Sequence, residues 1–245
     1  MKTLNKLLGA VIFIALCANT PGFSQHLITP YEYPIKPGTD EWKNFRTQEA
    51  MIAACQIPDK VLNELTTEAL AKSCLQYPMF PQINAYNNTQ QGFERLASKF
   101  NGFKELMNRP GGYTALFQIY KEMNPSGFSK DWSLIERGRF IQKFQYIEML
   151  LSQKAIVSKM DLKSKKALLH ECQKKYRTKF EYQDSYSLVG LSHTSYVMIN
   201  ILNSDNAGKS IIDKDLKEFS NTAIAFDASV PTRINSLVEA YLSKN

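Results

Sequence analysis

The string Gly190-Leu191-Ser192-His193-Thr194 is the closest approach this chain makes to a nucleophile motif. A Gly-x-Ser-x-Gly elbow works because a strand-to-helix turn lifts the serine hydroxyl clear of its neighbours, and it needs a strand before it and a second small residue after it. No strand pattern precedes Gly190, and Thr194 stands where the second glycine would be, so the string reads as a helix with a polar patch. Cys172 can be paired on paper with His170 or His193, since a thiolate needs an adjacent base. It shares its helical stripe with Leu169, Tyr176 and Phe180, the surroundings of a buried structural thiol. His26, His170 and His193 are a poor supply of metal ligands, and no His-Glu-x-x-His, Cys-x-x-Cys or calcium-loop spacing occurs. Phosphate-cradling glycine loops and dinucleotide fingerprints are also missing, so neither a metal nor another cofactor is expected. Glu32, Asp40, Glu41, Glu94, Glu136 and Glu148 can supply the two carboxylates that glycoside hydrolysis requires, and nothing in their spacing ranks them.

The one feature that names a ligand class is a run of charge. Between Lys159 and Lys179 eight basic residues stand against two acidic ones, Asp161 and Glu171. Lys159, Lys163, Lys166, His170 and Arg177 share one helical face; Leu162, Leu169, Cys172, Tyr176 and Phe180 share another. Such a basic stripe fits an anionic envelope surface or an acidic polysaccharide, where each lysine near a charged membrane contributes about 1 kcal/mol. Nucleic acid is the weaker candidate, because an exported protein rarely meets it. The plain alternative is a solvated lysine face that aids solubility.

These residues are positioned by helices, for strand signals are nearly absent. The arm 25–38 carries Pro30, Pro34 and Pro37 with Tyr31, Tyr33 and Ile35 between them, an extended segment that should lie along the body. Thr39 or Asp40 caps a segment whose Trp42, Phe45, Ile52 and Cys55 fall on one face. Pro58 opens the next helix, and Thr66 or Thr67 caps a third that runs to Pro78. Residues 78 to 88 read as a loop, with Thr89 as the cap of a segment in which Phe93, Leu96, Phe100, Phe103 and Met107 recur at helical spacing. Asn124-Pro125-Ser126-Gly127 is dense turn chemistry and the best boundary between two lobes, near 124–130. No proline stands between Pro125 and Pro231, which favours long helices at about 131–152, 158–179 and 184–202, then 211–219 and 231–242. No repeat recurs. The expected fold is all-α, an irregular orthogonal bundle or a divergent helical solenoid of about eight to ten helices in a single domain over 39–245.

Composition agrees with a folded protein: 44% of the 245 residues are hydrophobic and 22% charged. Lys2 and Lys6 precede the apolar run Leu7 to Ala18 and then Pro21-Gly22, the pattern of an export signal cut after Ser24. Its removal leaves 221 residues with 28 basic and 23 acidic side chains, a net charge of +5, and a periplasmic or extracellular product. No run of about 18 apolar residues follows, so no transmembrane segment is expected in the mature chain. In an oxidising compartment Cys55 and Cys74 can pair, leaving Cys172 as a buried thiol; all three can equally be small buried hydrophobes.

Ile28-Thr29-Pro30-Tyr31-Glu32-Tyr33-Pro34, Cys55-Gln56-Ile57-Pro58, Thr66-Thr67-Glu68-Ala69-Leu70, Tyr77-Pro78 and Asn101-Gly102-Phe103-Lys104-Glu105-Leu106 together resemble a group of secreted, uncharacterised, all-helical bacterial proteins. The resemblance covers about residues 28–110 and implies export and a helical body; it brings no activity, cofactor or catalytic residue. The functional expectation is therefore an exported, non-catalytic helical binding or scaffold protein of the cell envelope. The alternative is a secreted hydrolase with paired carboxylates in an inter-lobe cleft.

Overall fold

The computed structural model describes residues 26–129 and 131–244; the expected export signal, residues 1–24, lies outside them. The described chain is all-α. Its helices are α1 (Asp40–Lys43), α2 (Gln48–Ala54), α3 (Asp59–Glu64), α4 (Thr67–Leu75), α5 (Thr89–Ala97), α6 (Asn101–Asn108) and α7 (Gly112–Glu122), with a 3-10 turn at Phe80–Ala85. The second half holds α8 (Leu134–Leu151), α9 (Lys154–Val157), α10 (Leu162–Glu181), α11 (Gln183–Leu202), α12 (Asn206–Lys209), α13 (Lys214–Thr222) and α14 (Ser229–Lys244).

That is more helices than expected, because side-chain caps restart the backbone inside stretches that look continuous in sequence. Thr47 accepts the Ala50 amide and begins α2 afresh, so the segment from Thr39 to Cys55 is two helices. The stripe from Phe93 to Met107 breaks at Phe100, where the Asn101 amide donates to Gln56 Oε1 and Asn101 Nδ2 to the Ile57 carbonyl at 2.7 Å. Phe93, Leu96, Phe100 and Phe103 are buried all the same. Residues 78–88 are not an open loop: the 3-10 turn buries Phe80 and Ile83, and Asn88, not Thr89, caps α5. Gly92 makes this possible, since a Cβ there would stand 2.1 Å from the Ile83 carbonyl oxygen.

The arm lies along the body as its prolines and tyrosines require. Leu27 pairs with the α3–α4 joint through Leu27 N to Glu64 O and Thr66 N to Leu27 O, and Tyr33 is buried with its hydroxyl on the Ser73 carbonyl. One cluster of buried residues then runs through both halves of the chain. Helix α11 is its axis, touching α8, α9, α10, α12, α13 and α14. A solenoid unit touches only its neighbours, so this arrangement is a bundle. The first half docks onto it through α4 and α7 against α8, α5 against α13, and α6 and α7 against α9. No helix among the described residues is long and apolar enough to cross a membrane.

Candidate functional site

Where α8, α10 and α11 meet, the core contains charge. Lys179 near the end of α10 and Glu148 near the end of α8 are both fully buried and paired, with Lys179 Nζ 2.8 Å from each carboxylate oxygen. The ammonium also donates to Thr194 Oγ1 at 2.9 Å and lies 3.3 Å from the Gly190 carbonyl. Glu148 Oε1 in turn accepts the Tyr120 hydroxyl at 2.7 Å and the Thr194 hydroxyl at 2.8 Å. The pair therefore ties four helices, α7, α8, α10 and α11, to one point. The rings of Phe144 and Tyr186 lie 4.9 and 5.5 Å from the ammonium, which suits a cation against an aromatic face. Burial pulls the Lys179 pKa down and Glu148 opposes that pull. His193, one turn of α11 from Gly190, is held neutral, its pKa lowered to about 3 by burial and then by the Lys179 charge.

Above this network opens a cleft of about 470 Å³. Its walls are Ile135, Ile141, Phe144, Tyr186 and Val189, its mouth carries Arg139, Gln142 and Gln145, and Glu148, Lys179 and His193 form its floor. Ile135 and Val189 are 68% and 61% exposed, and Leu134 beside them is 86% exposed, so the rim is aliphatic and uncovered. The α11 side of the rim is strained. Ser187 has φ 52° and ψ −172°, a combination essentially reserved to glycine, and it kinks α11 at the cleft edge. Immediately before it the Tyr186 hydroxyl donates to the Pro125 carbonyl at 2.6 Å, tying this wall of the cleft to the 124–127 turn. Gly190 lets that ring lie against the helix, for a Cβ at Gly190 would come 2.8 Å from the Tyr186 Cβ.

The residues singled out by sequence fall elsewhere or play other parts. Ser192 donates to the Leu188 carbonyl of its own helix at 2.7 Å. Cys172 is fully buried beside Tyr120 and its thiol is pushed far up by burial and then by Glu148, the reverse of an activated nucleophile. The disulfide offered for Cys55 and Cys74 is not formed: both are free and fully buried. The Cys55 thiol lies 3.7 Å from the Ile35 carbonyl of the arm, and burial raises its pKa to about 11. Burial raises the Cys74 pKa as well. Among the described residues no three His, Cys, Asp or Glu side chains gather as metal ligands.

The six candidate carboxylates do not converge. Glu32, Asp40, Glu41, Glu94 and Glu136 are exposed. Asp40 pairs with Lys43, Glu94 takes the Gln90 amide, and Glu136 closes the capping box on Ser133. Glu148 is the only acidic residue of the α8–α11 cleft. The eight basic residues of 159–179, seven of them on α10, divide. Lys179 faces Glu148, and Lys175 is buried with its ammonium on the Met123 carbonyl at 2.6 Å, where it caps the end of α7, and on Glu171 at 2.9 Å. Lys159 caps α6 through the Met107 carbonyl. Lys163 is exposed, Lys166 is half-buried, and Arg177 is exposed and pairs with Glu239 of α14 at 3.0 Å. The proposed polyanion face thus keeps part of its charge at the surface.

No protein-family model, curated protein or solved structure matches the chain.

Proposed function

We propose that this is an exported, non-catalytic binding protein whose α8–α11 cleft holds a small amphiphile of the fatty-acid type. The observation that carries the reading is the cleft itself: an apolar trough of ligand size, with exposed aliphatic residues at its rim and a guanidinium and two amides at its mouth. A hydrocarbon chain covers Ile135, Ile141 and Val189, and a carboxylate head meets Arg139 and Gln142. The floor favours binding over turnover. Lys179 has its donors engaged by Glu148 and Thr194, Glu148 is held by three donor groups, and neither presents surface to water. Groups so completely satisfied fix shape and do not attack substrates. The amino-terminal signal pattern and the resemblance over 28–110 support export.

Trp132 packs against Phe140 on α8 at 5.5 Å between ring centres and serves as a reporter. Laurate should shift its fluorescence saturably and octanoate should bind more weakly. Each methylene covered contributes about 0.8 kcal/mol, so two should tighten binding roughly tenfold until the cleft is full. Val189→Glu should abolish the shift without unfolding the protein. If no amphiphile changes the fluorescence or melting temperature, or if Val189→Glu binds as wild type does, the reading fails.

A further inference from the structure

A second cleft, about 590 Å³, lies between α10 and α14, and two members of the basic stripe, His170 and Arg177, line it. His170, Gln173, Lys174 and Arg177 line it from α10, and Glu239 and Ser243 from α14. Gln173 is 7% exposed, and its Nε2 donor has no hydrogen-bond partner. A buried amide donor without an acceptor is uncommon and asks what oxygen it is meant to meet. Around it the chemistry is mixed. Lys174 and Arg177 bring positive charge, and the Glu239 carboxylate is fixed by Arg177 at 3.0 Å and by Asn235 Nδ2 at 3.3 Å. The Ser243 hydroxyl adds a further polar group.

We propose that this cleft binds an acidic glycan, with a sugar carboxylate or sulfate seated on Lys174, Arg177 and the Gln173 amide. Two features choose a sugar over a bare phosphate or a lipid surface. Glu239 repels a phosphate dianion but accepts sugar hydroxyls. The lining is otherwise hydrogen-bonding, with Leu242 as its one aliphatic residue, whereas a bilayer-docking face presents several protruding apolar side chains. The stripe also gives a polymer a track. From Lys163 through Lys166 and His170 to Arg177 the same face of α10 runs about 21 Å at 1.5 Å per residue, ending in the cleft. This site is separate from the α8–α11 cleft and does not depend on what that cleft holds.

Oligogalacturonate and heparin oligosaccharides are the probes, titrated by calorimetry across a salt series, with phosphatidylglycerol vesicles and inorganic phosphate as competing arms. Wild type should bind one of the two glycans. Lys174→Gln, at an exposed position, should weaken that binding about tenfold or more and flatten its salt dependence, as removal of a charge-assisted contact does. Gln173→Leu should weaken it without altering the salt slope, since it removes a neutral donor. Circular dichroism and melting temperature check that both variants fold. Absence of binding to either glycan overturns the proposal, as does glycan binding that both variants retain. Retention on vesicles with none on glycans also overturns it and moves the stripe to a membrane role.

Discussion

Lys179→Met removes a charge from a place that water does not reach, and the size of the loss follows from what is left behind. Glu148 would keep two donors, the hydroxyls of Tyr120 and Thr194, and lose an ammonium bonded to both of its oxygens. Removing one partner of a buried pair costs about 3–5 kcal/mol, and the two hydroxyls place this variant at the low end, about 3 kcal/mol. Glu148→Gln leaves the ammonium without its counter-charge. It retains Thr194 and the more distant Gly190 carbonyl, so about 4 kcal/mol is expected. The double variant buries no charge, and the Gln carbonyl still accepts from Tyr120. It should lose only about 2 kcal/mol, less than either single change, a coupling of about 5 kcal/mol. Urea unfolding followed by far-ultraviolet circular dichroism measures all four proteins. If the double variant loses the sum of the singles, or if Lys179→Met stays within about 1 kcal/mol of wild type, the charges do not form a dry pair and the account of the cleft floor is wrong.

Acid should destabilise the fold through His193. Its folded pKa of about 3 lies below the unfolded 6.5, so the unfolded chain binds the extra proton between those values and stability falls as the pH drops below about 6.5. The loss reaches about 2 kcal/mol by pH 5, before the carboxylates titrate; His193→Gln should remove it from the pH profile of the melting temperature, and an unchanged profile would refute the assignment. Gly92→Ala should cost about 3 kcal/mol because its Cβ meets the Ile83 carbonyl, whereas Gly138→Ala, with open space around it on α8, should stabilise by about 1 kcal/mol. Equal effects of the two in chemical denaturation would count against the packing of α5 on the 3-10 turn. Ser187→Gly should raise stability by about 1 kcal/mol by relieving the left-handed φ, and a fall in melting temperature would mean that Ser187 is not strained.

The sequence showed the helices of this protein better than their ends. Apolar spacing and the absence of proline between Pro125 and Pro231 are local signals, and they located α8, α10, α11 and α14 to within a few residues. What local signals missed was decided by distant partners. The break between α5 and α6 is set by Asn101 bonding to Gln56 and Ile57, more than forty residues earlier, and no spacing rule in 89–107 contains those contacts. The 3-10 turn is likewise held by α5 packing on it through Gly92. The site was harder still. Glu148 was visible only as one of six acids, and Gly190 as half of a failed nucleophile motif, though its role is to bring a ring and an ammonium close to its backbone.

The lysines of α10 show why charge counting misjudges a surface. On a helical wheel Lys175 and Lys179 lie one turn apart, flanked by Tyr176, and nothing in their type distinguishes them from Lys174. Burying an ammonium is costly unless anionic or carbonyl oxygens surround it, and two places along the inner face of α10 supply them. One is the end of α7, where the Met123 carbonyl and Glu171 receive Lys175; the other is Glu148 on α8, which receives Lys179. Arg177 and Lys174 turn the other way, Arg177 to Glu239 of α14 and Lys174 to the rim of the second cleft. The same run of residues thus builds the floor of one cleft and the positive side of another. Its surface charge is smaller than its composition suggests, because Lys175 and Lys179 are buried.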